Sequence, residues 1–409
     1  MPESPYPMLS VDEALRIVLE HIPVLAPVRV SFKQAQGRVL AETLRAPEPM
    51  PPFPAAGKDG FAVIAADTSP VRRIVGEQYA GYLADLRVTP GTAARVTTGA
   101  PLPAGADAVI LVELTEERDG YITLHGQVSP GRDVRPVGED IAMGQEILAA
   151  GTVLGPAELG LAATIGATEV SVYPAPRVAV LSTGDELAEP GESLRPGQIR
   201  DSNRFSLMAA VRTAGGEPVD LGIAGDRPGE LESKIAEGLE RADVLLTSGA
   251  VSMGQLDLLK PLLETWGTVH VGRVRLKPGK PLTFATVRGK PVFSLPGFPV
   301  SSLATFELFA RPALLKMQGY RHLARPRVRV RLTHPIRHEP DRAEYQRAVV
   351  VWRDGQLWAT TTGSQASSRL LSMIGANAFL ILPVGQGDCP AGEEVEAMLV
   401  GEIRNDPQA

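Results

Sequence analysis

Two lysines three positions apart, in Lys277-Pro278-Gly279-Lys280-Pro281, sit on a backbone stiffened by two prolines and turned by a glycine. Such a turn presents two ammonium groups together, and a compact oxyanion suits it. Three other turns, each following an apolar run, are small and rich in hydroxyls or prolines: Ser182-Thr183-Gly184-Asp185-Glu186, Thr247-Ser248-Gly249-Ala250-Val251-Ser252 and Leu295-Pro296-Gly297-Phe298-Pro299. In an open parallel sheet, ligands bind outside the carboxyl ends of the strands, where small residues let backbone N–H groups and helix dipoles approach an anion. Together the three turns predict one site for a phosphate-bearing ligand.

Carboxylates occur at comparable turns: Asp59 in Lys58-Asp59-Gly60-Phe61, Glu139-Asp140 after Gly138, Asp185-Glu186, Asp226, and Asp257 beyond the Ser248 loop. Mg²⁺ takes oxygen ligands and bridges one or two carboxylates to a substrate phosphate, so a Mg²⁺–phosphate site is an expectation. Asp226 ahead of Pro228 also reads as a turn former, and Asp201 as a helix cap. The six histidines form no H-E-x-x-H, and His334 and His338 flank Pro335, so they read as structural. Neither a G-x-x-x-x-G-K-[ST] loop nor a G-x-G-x-x-G fingerprint is present, which removes the ordinary NTPase and dehydrogenase classes.

The elements that must position these residues follow from periodicity. Ser10 with Glu13 is a capping box ahead of Leu15, Val18, Leu19 and Ile22, which predicts an N-terminal helix ending at Pro23. Residues 60–125 give short β runs, Val71–Val75, Arg95–Thr98, Ala108–Val112 and Tyr121–Leu124, as in a small β-rich module. Gly155-Pro156 opens a second helix to Ile165, a strand follows over Glu169–Tyr173, and Pro174-Ala175-Pro176 marks a boundary.

From Arg177 the pattern alternates strand and helix: Val178–Leu181 then Ser202–Thr213, Val219–Ile223 then Pro228–Arg241, Val244–Leu246 then Gln255–Glu264, and Val292–Leu295 then Pro299–Leu315. That alternation predicts a doubly wound, mostly parallel α/β domain with helices on both faces. Arg325, Arg327, Arg329 and Arg331 alternate with Val328 and Val330, which predicts a half-buried strand with a solvated basic face, opening a small all-β domain.

Composition sets the outer bounds. The 41 glycines and 36 prolines of 409 residues exceed the usual share, while 44% hydrophobic and 22% charged residues are ordinary globular values, so the chain is folded and loop-rich. A formal net charge of −6 excludes general nucleic-acid or acidic-membrane binding. One cysteine, Cys389, excludes an intrachain disulfide and thiol-rich metal sites; without a targeting segment or an apolar stretch of spanning length, a soluble cytoplasmic protein is expected.

At its turns the sequence resembles the molybdopterin molybdenumtransferases, MoeA and the E-domain of gephyrin and its plant homologues. The matching runs are Lys58–Val63, Thr97–Pro103, Gly138–Ile141, Ser182–Leu187, Ser248–Ser252, Lys277–Pro281, Leu295–Ser301 and Ser367–Ser372, in the family's order across nearly the whole chain. The resemblance implies a discontinuous linker domain (1–47 and 141–175), an inserted β-rich lobe (48–140), an α/β molybdopterin-binding domain (176–326) and a C-terminal β-barrel-like domain (327–409). It also implies a homodimer whose active site lies between the α/β domain of one subunit and the lobe of the other.

The implied reaction inserts molybdenum from molybdate into adenylylated molybdopterin with Mg²⁺-dependent release of AMP. By the resemblance, the turns at Ser182, Thr183 and Gly184, at Ser248 and Gly249, and at Pro296 and Pro299 hold the pterin and phosphate, together with Thr98 and Asp226. Asp59, Asp140, Glu186 and Asp257 are the catalytic carboxylates, with Asp59, Glu186 and Asp257 as metal ligands; Lys277, Lys280, Arg347, Ser367 and Ser368 hold molybdate. Molybdopterin adenylyltransferase and apo-molybdoenzymes are the implied partners.

The chain departs from the family at Ala55-Ala56-Gly57, Ala250 and Phe298, which predicts altered ligand affinity. Three alternatives stand beside the enzyme: a non-catalytic molybdopterin-binding scaffold, the adenylyltransferase of the preceding step, and a tungstate-specific version of the same reaction.

Overall fold

Helix α1 (Val11–Glu20) begins at its capping box: Glu13 N donates to Ser10 Oγ at 3.2 Å and Ser10 N to Glu13 Oε2 at 3.0 Å. The computed structural model describes residues 6–225, 227, 229–249 and 259–405. The chain divides into two compact units, one of residues 1–30, 37–41 and 171–409 and another of 31–36 and 42–170.

The second unit is a β-lobe with one helix, α2 (Pro156–Thr164). Its six-stranded sheet is built from β1 (Gly60–Val63), β2 (Val71–Gln78), β3 (Thr92–Val96), β4 (Ala108–Leu111), β5 (Thr115–Arg118) and β6 (Tyr121–Leu124) in the order β4-β1-β3-β2-β6-β5. Phe61, Val63, Ala93, Ala108, Ile110 and Ile122 alternate onto one face and form its core. Beside it, Ala55–Ala56 pairs antiparallel with Val134–Arg135, so two of the three residues that depart from the family before Asp59 form a buried strand, with half-buried Gly57 just beyond it.

The first unit carries the α/β domain. Its strands are β7 (Arg177–Thr183), β8 (Glu217–Ala224), β9 (Val244–Ser248), β10 (Gly267–Val271), β11 (Thr283–Val287) and β12 (Lys290–Leu295), in the order β8-β7-β9-β12-β11-β10. The first four of that order run parallel and are covered by α3 (Asn203–Thr213), α4 (Glu230–Arg241), α5 (Leu259–Trp266), α6 (Pro299–Thr305) and α7 (Arg311–Met317). Alternate residues of β9 face opposite cores: Val244 and Leu246 join α1, α3, α6 and α7, whereas Leu245 joins α4 and α5.

Two features differ from the expectation. The sheet ends in two antiparallel strands, β11 and β10, because Thr283–Val287 folds back on β12 as a hairpin; in the sequence these short runs are separated by the Lys277–Pro281 turn and carry no helix between them. The run Pro299–Leu315 is not one α-helix either: a π-turn over Phe306–Ala310 joins α6 to α7, next to Pro312, which has no N–H to continue the ladder.

The C-terminal strands β13 (Arg327–Leu332), β14 (Ala343–Arg353), β15 (Gln356–Thr361), β16 (Ala378–Leu382) and β17 (Glu394–Leu399) close into a barrel, since β14 pairs with both β15 and β16. Val330, Leu332, Ala348, Val350, Leu380 and Val395 fill it. The arginine-rich strand is a solvated face: Arg327 and Arg331 reach Glu396 and Glu394 across to β17 at 3.5 and 3.1 Å. His338 is buried between the carbonyls of Gln386 and Arg342, and Cys389 is buried in the barrel core.

Candidate functional site

In the lobe, Asp59 follows the Ala55–Ala56 strand and immediately precedes β1. Its Oδ1 accepts from Thr98 N at 2.6 Å and from Thr98 Oγ1 at 2.8 Å, and these two donors, the backbone one foremost, hold the carboxyl below the usual carboxylate range. The Thr97–Gly99 turn is fixed in turn by Gly99 N donating to Ala56 O at 2.7 Å. Asp140 is the acceptor of Arg135, whose Nε also donates to Glu139 Oε2 at 2.7 Å; hydrogen bonds to Glu139 and then Asp140 raise the Arg135 guanidinium further. Because Arg135 pairs in register with Ala55, the strand leading to Asp59 and the Glu139-Asp140 turn share one edge of the lobe.

In the α/β domain, the three strand-end turns are tied to one another. Asn203 Nδ2 donates to Ser248 Oγ and to Gly297 O, both at 2.7 Å; Thr183 Oγ1 donates to Ser248 O at 3.3 Å; Ser182 Oγ donates to Asp201 Oδ1 at 2.9 Å. Asp201 also caps α3, accepting from Arg204 N at 3.2 Å. Gly249 has φ +99, and a Cβ there would lie 2.4 Å from Thr183 O, so close approach of the turns demands glycine.

The expectation that these amides and hydroxyls face a ligand is therefore modified. Gly184 N donates to Ala224 O and Gly249 N to Leu295 O, while Ser182, Thr183 and Ser248 are buried with their hydroxyls engaged inside the protein. These residues frame the sheet edge. Among the described residues, the third turn reaches the adjoining cavity through Pro296, Gly297 and Phe298 and the first turn through Glu186 at its end; Pro299 starts α6 behind the third turn.

That cavity, about 780 Å³, lies wholly within the first unit. Lys277, Lys280, Glu186, Ser367 and Ser368 all line it, as do Lys260, Arg273 and Arg342, which the sequence reading missed because they belong to no turn motif. Among the described residues, five cations thus face one carboxylate. Gly279 carries φ +124, and a Cβ there would lie 2.5 Å from Thr305 Cγ2, so the Lys277–Pro281 turn packs directly on α6.

Lys277 Nζ is 3.4 Å from Glu344 Oε2 and 3.8 Å from Glu339 Oε2. Arg273 donates to Tyr6 O at 2.6 Å and Arg342 to Asp341 Oδ2 at 3.0 Å. The Lys280 side chain has no hydrogen bond or ion pair among the described residues, and neither has the Glu186 carboxylate. Phe298, 60% exposed, presents an aromatic face at the rim.

Arg347 stands behind the cavity rather than on its surface. It is fully buried on β14, donates to Ser372 Oγ at 3.1 Å and Ala366 O at 3.3 Å, and leaves Nη1 without a partner; burial lowers its guanidinium to about 10. Ala366 belongs to the loop that supplies Ser367 and Ser368. Asp226, Ala250 and Asp257 lie outside the described residues. Among the described residues no three His, Cys, Asp or Glu side chains gather into a metal cluster, and no helix is long and apolar enough to cross a membrane.

An α/β domain with a cation-rich cavity beside its strand-end turns, a β-lobe and a closed β-barrel make this a multi-domain protein. The family description "MoeA N-terminal region (domain I and II)" matches residues 9–166, "Probable molybdopterin binding domain" matches 179–316 and "MoeA C-terminal region (domain IV)" matches 329–400.

The chain belongs to the MoeA family of molybdopterin molybdenumtransferases. It is 37% identical to molybdopterin molybdenumtransferase 2 of Mycobacterium tuberculosis, over 95% of this chain and 99% of that one. The corresponding values for the Haemophilus influenzae molybdopterin molybdenumtransferase are 34%, 95% and 98%. Gephyrin of Dictyostelium discoideum is 37% identical over 98% of this chain, which spans 64% of that protein's length. The crystal structure of the molybdopterin biosynthesis MoeA protein of Pyrococcus horikoshii superposes with a TM-score of 0.84 at 32% identity, over 97% of this chain and all of that one.

Proposed function

We propose that this protein is a molybdopterin molybdenumtransferase of molybdenum cofactor biosynthesis, which inserts molybdenum from molybdate into adenylylated molybdopterin and releases AMP. The single observation that carries this reading is the cavity in which, among the described residues, five cations face one carboxylate, two of those cations being Lys277 and Lys280 on a rigid turn. A tetrahedral dianion finds there the unpaired ammonium of Lys280, the Lys277 ammonium and the Ser367 and Ser368 hydroxyls as donors, with Arg347 bracing the serine loop from behind. Full-length identity to bacterial molybdenumtransferases supports the same assignment.

Mg²⁺ fits the donor set. Glu186 is an exposed carboxylate without an ion pair at the cavity, and Mg²⁺ needs only one or two carboxylates when a substrate phosphate completes its shell. Glu186, with Asp59 and Asp257, would hold the ion, which supplies neutralisation of phosphate charge. Asp59, ionised at neutral pH and oriented by Thr98, accepts a proton from attacking water, and Asp140 with Arg135 fixes the neighbouring turn. The protein acts in the cytoplasm as a homodimer, the lobe of one subunit completing the cavity of the other. The four-part division at 47, 140, 175 and 326 describes its domains.

The test is to incubate the purified chain with adenylylated molybdopterin, molybdate and Mg²⁺, and to follow AMP release together with activation of an apo-molybdoenzyme. Both are expected, and both fall sharply on chelation of Mg²⁺. Absence of AMP release by the wild-type chain overturns the enzymatic reading.

A further inference from the structure

Glu344, at the start of β14, is a buried carboxylate that the proposed reaction does not use; it is 3% exposed. Strand Leu276–Lys277 pairs with β14 so that Lys277 and Glu344 are partners in register, which sets the two side chains beside each other. Glu344 Oε2 lies 3.4 Å from Lys277 Nζ, and no hydrogen-bond donor satisfies that oxygen. Three residues on, Arg347 is buried, leaves Nη1 unpartnered and feels the same carboxylate as its favourable charge. Glu344 is therefore paired in geometry with one cation, Lys277 on the cavity wall, and Arg347 behind the serine loop is a second positive charge in its neighbourhood.

A buried carboxylate short of hydrogen bonds persists only because opposite charges compensate it, and when it is paired with a cation on the wall of an anion-binding cavity it works against the ligand. An exposed residue cannot replace it: Glu339 approaches Lys277 only at 3.8 Å and keeps most of its surface in water.

We propose that Glu344 is a resident counter-ion of the cavity: it positions Lys277 while the cavity is empty, and a bound tetrahedral oxyanion must compete with it for that ammonium. Glu344 thereby limits oxyanion affinity and keeps binding reversible. This rests on reading the cavity as the molybdate site. Lys280, without a counter-ion among the described residues, lies outside this competition.

The experiment is calorimetric titration of the full chain with sodium molybdate at fixed ionic strength. Glu344→Gln keeps the side-chain volume and removes the charge, and its Kd is expected to fall about tenfold. In a Lys277→Met background the same substitution is expected to change Kd by less than about twofold, because the two residues act as a pair. A glutamate with a purely structural part gives the opposite sign, weaker binding on substitution.

An unchanged or raised Kd for Glu344→Gln overturns the proposal. If that variant does not fold, Glu344→Asp, which withdraws the charge from Nζ, is expected to lower Kd by a smaller factor, and an unchanged or raised value there overturns the proposal equally. A wild-type chain that binds molybdate with this coupling but releases no AMP removes the enzymatic reading and leaves the counter-ion role standing. A wild-type chain that binds no molybdate removes both.

Discussion

The lobe and the cavity treat negative charge in opposite ways. In the lobe, donors are committed to a protein carboxylate: the N–H and O–H of Thr98 both serve Asp59, and the Arg135 guanidinium serves Glu139 and Asp140. In the cavity, positive groups outnumber anions among the described residues, and the Lys280 ammonium has no partner among them. A region whose donors are satisfied internally presents an anion to its surroundings; a region with donors left over receives one. On the proposed reading the lobe supplies the reactive carboxylate and the cavity supplies the binding site, so substitutions in the two regions should separate turnover from oxyanion affinity.

The largest separation is expected at Asp59. Asp59→Asn retains an acceptor for Thr98 but removes the charge, and AMP release is expected to fall about a hundredfold or more, as for loss of a general base. Molybdate affinity, measured by titration on the same preparation, should stay at the wild-type value. A matching loss of affinity would break the division between the regions. The next effect belongs to Lys280→Ala, which removes a charged donor from the cavity and is expected to weaken molybdate binding roughly tenfold or more. Its melting temperature should not move, since the ammonium has no partner among the described residues; a marked fall in Tm would show that Lys280 is structural.

The two regions were also legible in the sequence to different degrees. Helix α1, the parallel strands and the closing β domain follow from capping, alternation and period, signals that involve neighbours in the chain. The Lys277–Pro281 turn and the Ser367-Ser368 pair were recognisable as motifs and do line the cavity. Asn203, which binds two of the three strand-end turns at once, was not, because its role depends on Ser248 and Gly297, 45 and 94 positions away. Arg273, Arg342 and Glu344 escaped for the same reason: each is an ordinary charged residue until the barrel strand β14 is paired with Leu276–Lys277. Hydroxyls in the turns pointed to a ligand, yet the fold uses Ser182 and Thr183 for its own hydrogen bonds, a choice that local pattern does not encode.

The finest test of the comparison is at Thr98. Its backbone N–H is the larger cause of the lowered Asp59 pKa and its hydroxyl the smaller, so Thr98→Val removes only the second while keeping the branched shape. A lowered pKa keeps the carboxylate ionised as pH falls, and activity that needs the ionised form persists below the ordinary carboxylate range before it is lost. Loss of the hydroxyl lets the pKa climb partway back, so the acid limb of the kcat/KM profile is expected to move to higher pH, with the rate at neutral pH nearly unchanged because Asp59 is ionised there in both proteins. Molybdate binding at neutral pH should not respond. An acid limb that stays in place would mean that a group other than Asp59 sets it, and would move the reactive carboxylate out of the lobe to Glu186 at the cavity.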